Sequence, residues 1–417
     1  MRATHAVVSV SALVVAFSVC ASAQSATASN SVPTDSLTDP VRVLASRLNL
    51  TRYKATIKGL TQFGDRREGT DRNANAVTWI ETQLRSYGCA NVERVTYDFQ
   101  PPVPAGTRAA DSAMRVRSAQ RSQAAALGSA QGGGGTRGVR TRTGVNTDSL
   151  AQKDPALRAL NTQPSTPGKR QEVYCTKVGC THPEEMYIIG AHMDGHGWGE
   201  AANDDGSGTA LVMEIARIMS MPDVKTDRSI RFALWNNEET GLNGARAYVD
   251  QREAMQGKES PAGSGKYPEP KWLGMIQHDM MLFDHGMPHP DGTMSPEQRP
   301  EADVNIEFQS ASKMSAESQK LAWLFVTANE KYATDYPAAV GPHMTNTDSA
   351  PFQDLIPAIS LRENERGREV GAGWDPQWHQ VTDVYATYTD KDFRLGLNAA
   401  QTTLGAVGLL VSATIVK

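Results

Sequence analysis

The chain has 417 residues, with 42 Lys and Arg against 46 Asp and Glu and a formal net charge of −4. A mean hydropathy of −0.44 excludes a polytopic membrane protein, and four cysteines in so long a chain exclude a disulfide-framework fold. The near-neutral charge argues against nucleic-acid binding, and a hydrophobic content of only 39% implies that part of the chain lies outside any core.

At the N-terminus, Arg2 and His5 precede an apolar run over 6–19, and Ala21-Ser22-Ala23 follows. A charged start, an apolar stretch too short to span a bilayer and an A-x-A site predict a signal peptide over 1–23. The mature protein is then expected to be secreted or periplasmic, with no membrane attachment. Cys20 follows Val19 rather than a small residue, which argues against a lipid anchor.

Helical spacing predicts a helix over 76–87, with Gly88 as its stop. Residues 92–99 alternate like a strand, and 173–176 is a candidate neighbour. Between them, 103–170 contains no Phe, Tyr or Trp, and Gly132 to Gly135 stand in a row. Nine Arg and two Lys oppose only Asp111, Asp148 and Asp154 there. Such a stretch buries too little apolar surface to offset its ordering entropy, so it reads as a disordered basic insertion with a short helix near 154–160. Its charge masks an acidic body, which suits cationic substrates such as free amino termini.

Punctuated units follow. Buried strands are expected over 186–191, 230–235, 273–276 and 358–361, and helices over 208–221, through Ala245 and Tyr248, and over 320–332 and 395–411. Strands alternating with helices predict one α/β domain over 24–417, a three-layer α/β/α arrangement around a central, mostly parallel mixed sheet. The last apolar run is too short and too interrupted by Gly and Thr to span a membrane.

The residues that follow these strands carry the chemistry. His192 and Asp194 come after the first, with Asp204 and Asp205 beyond; Glu238 and Glu239 come after the second, His278 and Asp279 after the third. In open α/β sheets, sites form beyond the carboxyl ends of strands. Any one cluster has a bland explanation as a turn, a helix cap or a loop histidine. Three on consecutive strands do not, and nitrogen and oxygen donors without a thiolate suit a catalytic zinc.

The segments IIGAHMD, NDDGSGTALVMEIAR, LWNNEETGLNGARAYV and HDM resemble the co-catalytic two-zinc aminopeptidase family, in the clan that includes glutamate carboxypeptidase. Upstream RREGTDRNANAVTWIETQL and downstream NTDSAPFQDLIPAISL and WHQVTDV extend the likeness over nearly all of the mature chain except the insertion. The resemblance implies an exopeptidase that takes two Zn2+ ions and a peptide with a free amino terminus. It implies that His192 and Asp279 hold one zinc, that Glu239 and His379 hold the other, and that Asp204 bridges them with a hydroxide between. Glu238 would be the general base, and Asp194 would accept the second ring N–H of His192. A cis peptide between Asp204 and Asp205 belongs to the same pattern. His343 is the alternative to His379, while His196, His285 and His289 read as loop histidines. His278 stands where the family has Asn and reads as a polar substitution, and Asp348 is expected to support the site without ligating.

Cys175 and Cys180 flank a short turn and are expected to pair, which leaves Cys89 free. Two other functions remain open on this scaffold. A carboxypeptidase or dipeptidase would need a basic pocket, for which Arg362, Arg366 and Arg368 are candidates, although surface placement explains them more simply. A non-catalytic binding relative would be expected to lack a ligand or the base, and all are present here.

Overall fold

The computed structural model describes residues 39–100, 145–283, 304–342, 346–363 and 375–416. The expected signal segment lies outside them. Two helices that periodicity did not reveal open the described chain. α1 (Pro40–Ser46) starts at Asp39, whose carboxylate accepts from the N–H groups of Val41 and Arg42, and α2 (Leu50–Thr61) is capped by Asn49. α3 (Asp71–Ser86) begins five residues before its expected start, because the Thr70 hydroxyl accepts from Asn73 N–H and sets the first turn there.

β1 (Asn91–Phe99), α4 (Pro155–Asn161), β2 (Gly168–Lys177), β3 (His182–His192), α5 (Gly206–Met219), β4 (Val224–Lys225) and β5 (Arg228–Trp235) follow. Then come α6 (Asn243–Arg252), β6 (Lys271–His278), β7 (Val304–Phe308), α7 (Ser315–Tyr332), β8 (Ala338–Gly341), β9 (Ala358–Arg362), α8 (Asp390–Leu410) and β10 (Thr414–Ile415). Eight strands form one sheet in the order β1-β2-β5-β3-β6-β9-β7-β8. The four central strands β5, β3, β6 and β9 run parallel. β1 and β2 are antiparallel at one edge, and β7 and β8 form a pair antiparallel to β9 at the other.

Alternation along β5 divides two cores. Ile230, Phe232 and Leu234 pack with side chains of α1, α2, α3, α5, α7 and α8; Ala233 and Trp235 face the other way, onto Tyr248 of α6, Trp272 and Phe352. This is the expected three-layer α/β/α arrangement with a mixed, mostly parallel sheet. No helix among the described residues is long and apolar enough to cross a membrane.

Two expectations need correction. Of the stretch 103–170, residues 103–144 lie outside the described set, but 145–170 has defined structure: the short helix expected near 154–160 is present as α4, and the start of β2 follows it. Composition misleads there because the polar groups have buried partners. Asn161 accepts from Asp65 N–H at 3.1 Å and donates to Gly199 O at 2.8 Å, and buried Arg170 pairs with Glu68 at 2.5 Å. The cysteine pairing also differs: Cys175 is bonded to Cys89, not to Cys180. β1 and β2 pair antiparallel with Val92 opposite Cys175, which sets Cys89 close by. Continuing β2 through Lys177 carries the chain on by about 3.3 Å per residue, away from Cys180's expected partner.

Candidate active site

Three parallel strands end at the same edge of the sheet and deliver the expected residues into one crevice. His192 is the last residue of β3, Glu238 and Glu239 follow β5, and Asp279 follows β6. Asp204 comes from the loop before α5, joined by a cis peptide to Asp205 as expected. His379 comes from the loop before α8. Its Nε2 lies 3.0 Å from Asp204 Oδ2 and 3.0 Å from Glu239 Oε2, while His192 Nε2 lies 3.2 Å from Asp204 Oδ1 and 3.9 Å from Asp279 Oδ1. All six residues expected to ligate or act as base are thus brought together. His285, His289, His343, Arg366 and Arg368 lie outside the described residues.

The backbone around them is held by buried side chains. Fully buried Arg66 donates to the carbonyls of Met193, Glu200 and Ala201 at 2.7–2.8 Å and fixes the loop after β3. Asn73 of α3 and Asn236 exchange amide hydrogen bonds at 3.0 and 2.9 Å, which anchors the turn that carries Glu238. Asp383 accepts from the N–H groups of Asn203 and Asp204 at 2.8 and 3.1 Å. Asp205 caps α5 through Gly208 N–H at 2.8 Å and also accepts from His192 N–H at 3.2 Å. Residues 145–152 tie the two ligand loops together: Asn146 N–H donates to His379 O, and Gln152 Nε2 to Trp198 O and Val381 O.

Three side chains sit differently from expectation. The nearer acceptor for His192 Nδ1 is the main-chain carbonyl of Asp194, at 3.0 Å, with its carboxylate at 3.8 Å. That carboxylate instead accepts from the N–H groups of Glu238 and Glu239. Either way Nδ1 donates, and Nε2 is turned to the crevice, where it would ligate once deprotonated. Arg362 is not a surface residue: it is buried, and its Nη2 lies 2.6 Å from Asp279 Oδ2. His196 is the residue that sequence reasoning missed, with Nε2 at 2.9 Å from Glu239 Oε2. His278 turns away: its Nδ1 donates to Gly190 O and its Nε2 accepts from the Thr403 hydroxyl, and burial holds its pKa down at about 4. Asp348 is buried beside the crevice and accepts from Gln277 Nε2 at 3.3 Å.

The electrostatics call for cations. Asp194, Asp204, Asp205, Glu238, Asp279 and Asp348 are all buried and Glu239 nearly so, against the fixed positive charges of Arg362 at Asp279 and of Arg66 near Asp194 and Asp205. Such a crowd of carboxylates is costly to bury unpaired. Desolvation and the charges of Asp348, Glu239 and Asp279 push Glu238 well above the usual carboxylate range. Burial disfavours the His379 cation, but Glu239 and Asp204 overcome it and raise its pKa to about 10. Burial is likewise outweighed at His192, chiefly by Glu238, and its pKa stands well above 6.5. His196 and His379 hold Glu239 down at about 2 against its desolvation. Protons on the imidazoles therefore occupy the role that metal cations would take. Glu239 Oε1, His196 Nε2 and His379 Nδ1 are buried without hydrogen-bond partners among the described residues. Two donor groups, His196-Glu239-His379 and His192-Glu238-Asp279, each converge within 4.8 Å. The residues fit zinc, whose ligands are neutral imidazoles and carboxylates.

Comparison with known proteins agrees. The description of peptidase family M28 matches residues 172–401, more than half of the chain. Aminopeptidase YwaD of Bacillus subtilis is 39% identical over 79 residues, 19% of this chain and 17% of YwaD. The probable lipoprotein aminopeptidase LpqL of Mycobacterium tuberculosis is 25% identical over 264 residues, 62% of this chain and 49% of LpqL, so the chain spans half or less of these relatives. The structure of BSAP, a zinc aminopeptidase from Bacillus subtilis, superposes with a TM-score of 0.55 at 16% identity, covering 87% of this chain and 95% of that one, and shares the fold. The chain belongs to peptidase family M28.

Proposed function

We propose that the chain is an exported aminopeptidase that takes two zinc ions and releases residues from the free amino termini of peptides. The observation that carries this reading is the disposition of Asp204, whose two carboxylate oxygens face different histidines, His192 at 3.2 Å and His379 at 3.0 Å. His192, Asp279 and one oxygen of Asp204 would hold the first ion; Glu239, His379 and the other oxygen would hold the second. When bound, the pair of ions would polarise the scissile carbonyl and make a water molecule nucleophilic near neutral pH.

The remaining work falls to the chain's own groups. Glu238, tuned upward by burial and its carboxylate neighbours, takes the proton from the attacking water and passes it to the leaving amine. Asp194 fixes the positions of Glu238 and Glu239 through their main-chain N–H groups. Arg362 neutralises the outer oxygen of Asp279 and leaves the inner one for the metal. The crevice is rich in carboxylates, which suits an incoming ammonium. A carboxypeptidase or dipeptidase would instead need a free cation for the substrate carboxylate, and Arg362 is committed to Asp279 and Glu307. The disulfide between Cys89 and Cys175 supports export to an oxidising compartment.

The test is to measure metal content and then to assay a free and an N-blocked aminoacyl anilide side by side. Turnover of the free substrate alone is the expected result. Cleavage of the blocked substrate alone would sink the aminopeptidase reading, and a metal-free, inactive protein would favour a binding relative.

A further inference from the structure

We propose that His196 is a zinc ligand, the second imidazole at the position formed by Glu239, His379 and Asp204. The inference rests on the two-zinc reading above and extends it to an unequal pair: an oxygen-rich position at His192 and Asp279, and a nitrogen-rich one at His196 and His379.

His196, Glu239 and His379 offer donor atoms that all lie within 4.8 Å of one another, close enough to share one ion. Two donors on one tetrahedral zinc, each about 2.0–2.1 Å from the ion, stand about 3.3 Å apart. His196 Nε2 to Glu239 Oε2 is 2.9 Å, His379 Nε2 to the same oxygen is 3.0 Å, and His379 Nε2 to Asp204 Oδ2 is 3.0 Å. Despite its distance, His196 Nε2 makes no hydrogen bond of acceptable angle among the described residues. With no hydrogen bond of its own, that nitrogen can donate to an ion placed between it, Glu239 and His379. The two imidazole rings stand perpendicular, 4.1 Å between centroids, so their nitrogens approach that ion from different directions.

The chain also builds the loop that holds His196 there. A Cβ on Gly197, at φ +100°, would lie 2.5 Å from the carbonyl carbon and oxygen of His379, so only glycine lets the two loops pass so closely. Asn146 then fastens them, donating from its side chain to Gly197 O at 3.2 Å and from its main chain to His379 O at 2.9 Å. Imidazole donors favour zinc, cobalt and nickel, whereas a carboxylate-rich position also accepts manganese or magnesium. The nitrogen-rich position should therefore retain zinc more tightly.

The test counts imidazoles. Zinc X-ray absorption on the wild-type protein carrying two zinc ions is expected to give three imidazoles per pair, and two per pair would overturn the proposal. His196→Ala, titrated with zinc after chelator treatment, should keep one affinity within about threefold of wild type. Loss of even an outer partner of a ligand costs about 10- to 100-fold in affinity, so the other should weaken by at least about 100-fold. Two affinities unchanged within about threefold would overturn it. If His196→Ala does not fold, the wild-type count decides. A wild-type protein that binds no zinc would defeat the two-zinc reading itself, whereas two zinc ions with two imidazoles defeat only this proposal.

Discussion

At the scale of single residues, position in the chain pattern decided what was legible. His192, Glu238, Glu239 and Asp279 each follow a buried strand, and a side chain just past the carboxyl end of a parallel strand has one crevice to enter. Asp204 was marked by its place beyond the first strand, but its bridging role came through resemblance; His379 carries no such signal, since neither periodicity nor a cap fixes the direction of a long loop, and was found through resemblance alone. His196 sits between two glycines in the same kind of loop, and its orientation depends on Arg66 and Asn146, which are distant in sequence. The role of Glu238 is the sharpest residue-level prediction. Glu238→Gln keeps the shape of the side chain but cannot accept a proton. It should retain both metal ions and KM while kcat falls by about 10²- to 10⁴-fold. If metal content falls instead, Glu238 is a ligand of the His192-Asp279 position; if kcat stays within threefold, another group is the base.

At the scale of elements, the central layer was read correctly because its strands are mostly apolar and its helices amphipathic. The boundaries that moved are those set by side-chain caps, as at Thr70; α1, β7 and β8 were missed because they offer too few residues for a period to emerge, whereas α2, at twelve residues, was long enough and was still missed. The misjudged segment 145–170 shows a different limit: polarity signals disorder only when the polar groups lack buried partners, and Asn161 has Asp65, Arg72 and Gly199. Loop packing at the site can be probed at Gly197. An alanine there must strain a left-handed backbone and push against the His379 carbonyl, at a cost of about 1–3 kcal/mol. Gly197→Ala should therefore weaken metal binding at the Glu239-His379 position while far-ultraviolet circular dichroism stays unchanged. Wild-type affinity at both positions would show that the loops are not closely coupled.

For the whole molecule, the Cys89–Cys175 disulfide is one long-range constraint and bound zinc would be another. Cys89 and Cys175 are 86 residues apart, and closing such a loop restricts the unfolded chain by about 4.6 kcal/mol in the chain-entropy account. Cys89→Ser with Cys175→Ser should lose about 2–4 kcal/mol in denaturant unfolding, and an unchanged midpoint would mean the bond is not formed. The metals couple stability to pH in a direction that the site dictates. In the metal-free protein His379 has its pKa raised from 6.5 to about 10. A raised folded-state pKa contributes stability that is complete below about pH 6.5 and fades as the pH climbs towards 10. Glu239, lowered to about 2, contributes above about pH 4.5 and loses its contribution as the pH falls towards 2. The metal-free fold is thus best supported by these pairs between about pH 4.5 and 6.5. Zinc needs neutral imidazoles, so across that range and up to about pH 10 an ion at the Glu239-His379 position must displace a proton from His379, and an ion at His192 must likewise displace one there, since its pKa is raised too. At a fixed free zinc concentration, each displaced proton adds about 1.4 kcal/mol of zinc-dependent stabilisation per pH unit. For a domain of this size that corresponds to about 2 °C per proton. Calorimetry of stripped and zinc-loaded protein at pH 6, 7 and 8 should therefore show a gap in Tm that widens with pH, as the metal-free form weakens and the loaded form does not. A gap independent of pH would mean that the histidines already stand neutral without metal, and that the carboxylates around them are balanced by some other cation.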